Sequence, residues 1–134
     1  MKEQEVVRFV SCAGQRYRVL HASLGGVWLI SYEEPGTPLF VAEADLERFE
    51  RIKTPESFIC YSSTAKLSKA QYERLAIIQP LLDEKQCICD KVIRREIAAK
   101  AAQIHHTSIR RVLRLYYRYL ATGILVAVTQ TDKE

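Results

Sequence analysis

The hydrophobic and polar positions change rhythm once along the chain. Over roughly the first fifty residues apolar side chains fall in short runs or at alternate positions, the period of two that marks strands. Val6-Val7-Arg8-Phe9-Val10 is apolar and β-branched, and Gln15-Arg16-Tyr17-Arg18-Val19-Leu20 alternates through Tyr17, Val19 and His21. Gly25-Gly26 then supplies a turn before Val27-Trp28-Leu29-Ile30-Ser31-Tyr32. Glu34-Pro35-Gly36-Thr37-Pro38 is dense in turn residues, and Leu39-Phe40-Val41 follows. Short strands at this spacing predict a small antiparallel sheet or barrel, with Trp28 as its core anchor. Asp45-Leu46-Glu47-Arg48-Phe49 reads as a short helical turn at its end. Residues 52–65 hold Thr54-Pro55 and Ser62-Ser63-Thr64 without a clear period and read as a linker, with one strand expected at Phe58-Ile59-Cys60-Tyr61.

From residue 66 the period becomes helical. Ser68-Lys69-Ala70-Gln71 fits a capping box, and Leu67 and Tyr72 are placed for a hydrophobic staple. Leu75, Ile78, Leu81 and Leu82 give an apolar face, with Pro80 expected to bend or loosen that helix. Asp90 is a good N-cap for a second helix, which runs through Val92, Ile93, Ile97, Ala98, Ala101 and Ala102. That helix breaks at Ile104-His105-His106-Thr107. Ser108 caps a third helix that ends at Gly123. The reading is an α+β chain: a small antiparallel β-rich domain at 1–51, a linker at 52–65, three helices with a helix-turn-helix at 66–123, and a tail at 124–134.

The third helix carries the candidate chemistry. At about 100° per residue, with Arg110 set at zero, Arg114 falls near 40°, Arg118 near 80° and Arg111 near 100°. Ile109, Val112, Leu113, Tyr116, Tyr119 and Leu120 fall on the other side. No acid occurs between Ile97 and Thr131. A solvated helix face more often mixes signs to form i,i+4 pairs. Four arginines without an acid suit a recognition helix, because a major groove admits one α-helix and arginine binds guanine or phosphate. Ala98, Ala101 and Ala102 are small enough to let the two helices pack closely. Charge sharpens the picture. The chain of 134 residues has a formal net charge of +4. Residues 1–60 hold seven Lys/Arg against nine Asp/Glu, and residues 61–134 hold thirteen against seven, so the halves carry −2 and +6. A polyanion would sit on the second half.

The remaining features exclude more than they add. A hydrophobic content of 48% and a charged content of 27% are globular values. No apolar run approaches the roughly 20 residues that span a bilayer, and Met1-Lys2-Glu3-Gln4-Glu5 does not open a secretory signal, so a cytoplasmic chain without a membrane partner is expected. Four cysteines, Cys12, Cys60, Cys87 and Cys89, are expected to be reduced. Cys87-Ile88-Cys89 is C-x-C rather than C-x-x-C; with His105 and His106 sixteen or more residues on, small core residues are the simpler reading, and no metal or cofactor is expected. There is no Gly-rich phosphate loop, no H-E-x-x-H and no G-x-S-x-G, so no catalytic residue is assigned.

Over residues 97–123 the chain resembles the N-terminal region of TnsB-type transposases, relatives of the Mu transposase and retroviral integrases. The resemblance rests on His106-Thr107-Ser108, Arg110-Arg111-Val112-Leu113, Arg118-Tyr119-Leu120 and Gly123. Upstream, Ile77-Ile78-Gln79-Pro80-Leu81-Leu82 is similar to the helix before that motif, and residues 5–49 to the family's short β-rich leader. Leu120 stands where the family often has tryptophan, and Gly123-Ile124-Leu125-Val126 departs from its usual continuation. The resemblance implies duplex DNA at transposon ends as the ligand and other transposition proteins as further partners. The family's acidic catalytic domain would follow Glu134, so this chain is expected to bind DNA without being an enzyme. Arg110, Arg111 and Arg114 are expected to reach the major groove or its phosphates. Arg118 and Lys100 would contact backbone, and His106 and Ser108 would lie near phosphates. The alternatives are a protein-interaction adaptor or a stand-alone transcriptional regulator.

Overall fold

A computed structural model describes residues 8–55 and 68–122. Four strands form a meander: β1 (Arg8–Cys12), β2 (Gln15–Ser23), β3 (Gly26–Ser31) and β4 (Leu39–Ala42). A 3-10 turn over Glu43–Arg48 leads into β5 (Glu50–Ile52), which returns beside β1, giving the order β4-β3-β2-β1-β5 with every pair antiparallel. β5 has no signal in the sequence. Three residues, two of them charged, carry no periodicity, and pairing of Ser11 with Glu50 and of Phe9 with Ile52 defines the strand. The expected strand at Phe58-Ile59-Cys60-Tyr61 lies outside the described residues.

Two backbone positions fix the sheet's turns and spacing. Cys12 pairs with Gln15, leaving Ala13-Gly14 as a two-residue loop with φ of 55° and 82°. Positive φ at both central residues is the type I′ geometry that matches strand twist. Gly26 lies where a Cβ would come within 2.2 Å of the Val41 carbonyl oxygen, so β3 and β4 approach more closely than any side chain there permits. Trp28 is only half-buried, with its ring 5.4 Å from Phe40 at the β4 edge. The sheet's core is instead Phe9, Leu29 and Ile30, all 1% exposed or less, with Tyr32 edge-on to Phe9. Leu29 and Ile30 point to opposite faces, so the sheet is covered on both sides.

The helices are α1 (Lys69–Asp83), α2 (Lys91–Ile104) and α3 (Ile109–Thr122). The Ser68 hydroxyl accepts from Gln71 N–H, and the Gln71 side chain accepts from Ser68 N–H, completing the capping box. Leu67, the other half of the expected staple, is outside the described residues. α1 continues through Pro80 to Asp83. Proline removes one amide bond, and Ile78 and Leu81, both buried, anchor the turn on either side of it. The Asp90 carboxylate accepts from the amides of Val92 and Ile93 at the start of α2. Ala98, Ala101 and Ala102 are buried in the α2 contact, while Val92, assigned by periodicity to the apolar face, is 60% exposed.

α2 closes with a Schellman motif. The amide of Thr107 donates to the Ala102 carbonyl at 2.9 Å and that of His106 to the Gln103 carbonyl at 3.4 Å. His106 therefore occupies the left-handed position, φ 56°, where glycine is the usual residue. A β-carbon in that region costs about 1–2 kcal/mol, partly offset by the greater unfolded-state freedom of glycine. His106→Gly is accordingly expected to stabilise the fold by about 0.5–1 kcal/mol, read as a higher urea midpoint at unchanged m-value. A lower midpoint would show that the imidazole makes a compensating contact.

The sheet and the helices meet at the C-terminal end of α3. Ile30 belongs to the same buried cluster as Ile78, Ala98, Val112, Leu115, Tyr116 and Leu120, with Leu20 packed against it. Arg18 on β2 donates from Nη1 to the Leu120 carbonyl, meeting the last turn of the helix where carbonyls lack intrahelical partners and the dipole favours a cation.

Candidate functional site

α3 has one buried face and one exposed face. Val112, Leu115, Tyr116 and Leu120 are buried, and Tyr116 is the largest fully buried side chain among the described residues. Burial pushes the Tyr116 phenol well above its usual range, so it stays neutral. At the other end, Ser108 Oγ accepts from Arg111 N–H at 3.1 Å and its carbonyl from Val112 N–H, capping the helix as its sequence position predicts.

The four arginines divide into two pairs. Arg110 and Arg114 are exposed, one helical turn apart, and line an open groove of about 1110 Å³ together with Ile109, Leu113 and Tyr117. The groove's other wall is α2, through Lys91, Val92, Arg94, Arg95, Glu96 and Ala99, and Pro35 and Thr37 of the β3–β4 loop close its end. Among the described residues, four exposed cations, Lys91, Arg95, Arg110 and Arg114, line it against a single acid, Glu96, which makes it electropositive. Arg111 and Arg118 lie on the flank of α3, half-buried, and the Nε atom of each is buried without a hydrogen-bond partner.

Lys100 falls elsewhere. Nine residues on from Lys91, it sits about 180° round α2 and lines a smaller cavity of about 370 Å³ with Pro80, Asp83, Glu84, Ile97 and His105. Two carboxylates there offset its charge. His106 and Ser108 are exposed in the turn between α2 and α3. The structure thus joins Arg110 and Arg114 to Lys91 and Arg95, two residues that a reading of α3 alone passed over. Lys91 and Arg95 are spaced i,i+4, and the projection applied to α3 finds them on one face of α2.

Arg94 differs from its neighbours. It is 5% exposed, and its Nη1 donates to the carbonyls of Cys87 at 2.8 Å and Ile88 at 3.3 Å, in the short 3-10 turn Lys85–Cys87 and just beyond it. Its guanidinium also lies 5.8 Å from the Tyr117 ring centroid. The C-x-C pair flanking this turn splits: Cys87 is fully buried and Cys89 exposed. Burial, reinforced by the Glu84 charge, pushes the Cys87 thiol up to about 11, so it is un-ionised near neutral pH. Among the described residues no group of three or more His, Cys, Asp or Glu is placed to hold a metal ion.

The loop that ends the groove is held from its own sheet. Arg16 donates from Nε and from its backbone amide to the Glu33 carboxylate, and its guanidinium lies 4.8 Å from the Tyr32 ring centroid. Burial raises the Glu33 pKa, but the Arg16 hydrogen bonds outweigh it and hold the carboxyl below its usual value.

No helix among the described residues is long and apolar enough to cross a membrane. In comparisons with known proteins, the chain matches no protein-family model and no curated protein.

Proposed function

We propose that the chain binds duplex DNA sequence-specifically, with α3 presented to the major groove and the N-terminal half of α2 against a phosphate backbone. One observation carries this reading. Arg110 and Arg114 lie exposed on one groove with Lys91 and Arg95, and among the described residues Glu96 is the only acid lining it. A positive surface of this kind releases condensed counterions when it meets phosphates. The α2–turn–α3 unit, with its buried alanines and tight four-residue turn, has helix-turn-helix proportions. Recognition of transposon ends is part of the proposal and rests on the residue pattern of 97–123. A cytoplasmic setting, a role confined to binding and other transposition proteins as partners belong to the same proposal.

The apolar floor of the groove favours one second reading. Val92, Ile109, Leu113 and Tyr117 between basic rims would also accommodate an acidic amphipathic helix, the adaptor alternative. Salt separates the two. Binding of a labelled random duplex should fall linearly with log salt, with a slope of roughly −3 to −4 if the four exposed cations each neutralise a phosphate. Affinity for duplex DNA that is flat between 50 and 300 mM salt would overturn the DNA reading.

A further inference from the structure

The side chains lining the groove also restrict which base edges α3 can read, an inference that rests on the DNA-binding reading. Two rows run along the groove side of the helix: Ile109 and Leu113, and beside them Arg110 and Arg114. Each row spans four residues, about 6 Å along the axis, close to two base-pair rises. In a major groove, arginine pairs with O6 and N7 of guanine, and an apolar side chain packs on the C5-methyl of thymine. The groups that read the other two bases are Asn or Gln for adenine and Asp or Glu for cytosine. α3 contains none of them. Ile109 and Leu113 are half-buried against the core, so their inner atoms are fixed and their outer atoms face the groove.

We propose that this helix selects sites in which guanines alternate with or adjoin thymines on the contacted strand, and that it reads the thymine 5-methyl groups directly through Ile109 and Leu113. Thymine is then distinguished from uracil, which differs only by that methyl. Charge complementarity brings the duplex to the groove, and the arginine and apolar rows together rank the sequences.

The test begins with duplexes selected from a random pool by the intact chain. Each thymine of the recovered site is replaced by uracil and, separately, each guanine by 7-deazaguanine, which lacks the N7 acceptor. One or two uracil positions should each weaken binding about fourfold, the effect of exposing one methyl group. One or two 7-deazaguanine positions should weaken it by tenfold or more. The salt slope should be unchanged in both series. With Ile109→Ala, the uracil penalty should disappear at one position and persist at another. If uracil duplexes bind as tightly as thymine duplexes while the salt slope remains steep, methyl reading is wrong and DNA binding stands. If no duplex is retained at low salt, both fall together.

Discussion

Replacing Arg110 and Arg114 together by alanine should lower the affinity for a selected duplex by about thirtyfold or more, while the paired change of Arg111 and Arg118 costs much less. An arginine that contacts a base is worth about 1–3 kcal/mol, and tenfold in affinity is about 1.4 kcal/mol. Arg110 and Arg114 are neighbours on one exposed face, so their losses should not be strictly additive. Two effects distinguish them from a diffuse positive charge. Alanine there should compress the ratio between selected and random duplexes, because base contacts specify and phosphate contacts only position. Alanine at Lys91 or Arg95 should instead weaken all duplexes alike and reduce the salt slope by about one each. Arg111 and Arg118, with buried Nε atoms, have already placed much of their side chains against the protein. Equal losses at all four arginines, on every sequence, would remove base reading from the account.

The order of elements was legible in the sequence because each had a local cause. Alternation at Tyr17, Val19 and His21 marked β2, the Ser68–Gln71 spacing marked the start of α1, and Asp90 and Ser108 marked the starts of α2 and α3. What was not legible depends on partners distant in the chain. β5 exists because β1 offers it an edge, and Trp28 lies half-exposed because its β4 neighbour Phe40 is at a sheet edge. The same division runs through the site. A helical projection found the arginine face of α3 but grouped Arg111 with Arg110 and Arg114 toward the major groove and set Arg118 apart at the backbone. Only packing against α1, α2 and the sheet decides which of them a groove exposes. Lys100 shows the converse: it is close to the turn in sequence, but the twist of α2 turns it toward Asp83 and Glu84.

Arg94 is where charge alone would mislead most, and its replacement carries the largest expected effect on stability. In sequence it is one more cation beside Arg95. In the fold it is buried, with Nη1 bonded to two carbonyls of the turn that links α1 to α2. A hydrogen bond to a charged group contributes about 1.5–3 kcal/mol, and a carbonyl left unpaired in the interior costs about 1–3 kcal/mol. Arg94→Ala removes two such bonds, empties the space beside Tyr117 and strands the Cys87 carbonyl next to a fully buried side chain. A loss of about 3–5 kcal/mol in unfolding free energy is expected, much of the roughly 5–15 kcal/mol that holds a domain together. Arg94→Lys should recover only part of it, because an ammonium is a point donor without the planar fork of a guanidinium. Arg95→Ala is the control: its side chain is exposed, and the change should fall within about 0.5 kcal/mol of the parent. Urea titrations of the three variants read these differences directly. If Arg94→Ala unfolds at the parent's midpoint, the turn is held by its own backbone bonds, and the Arg94 guanidinium contributes nothing to holding it.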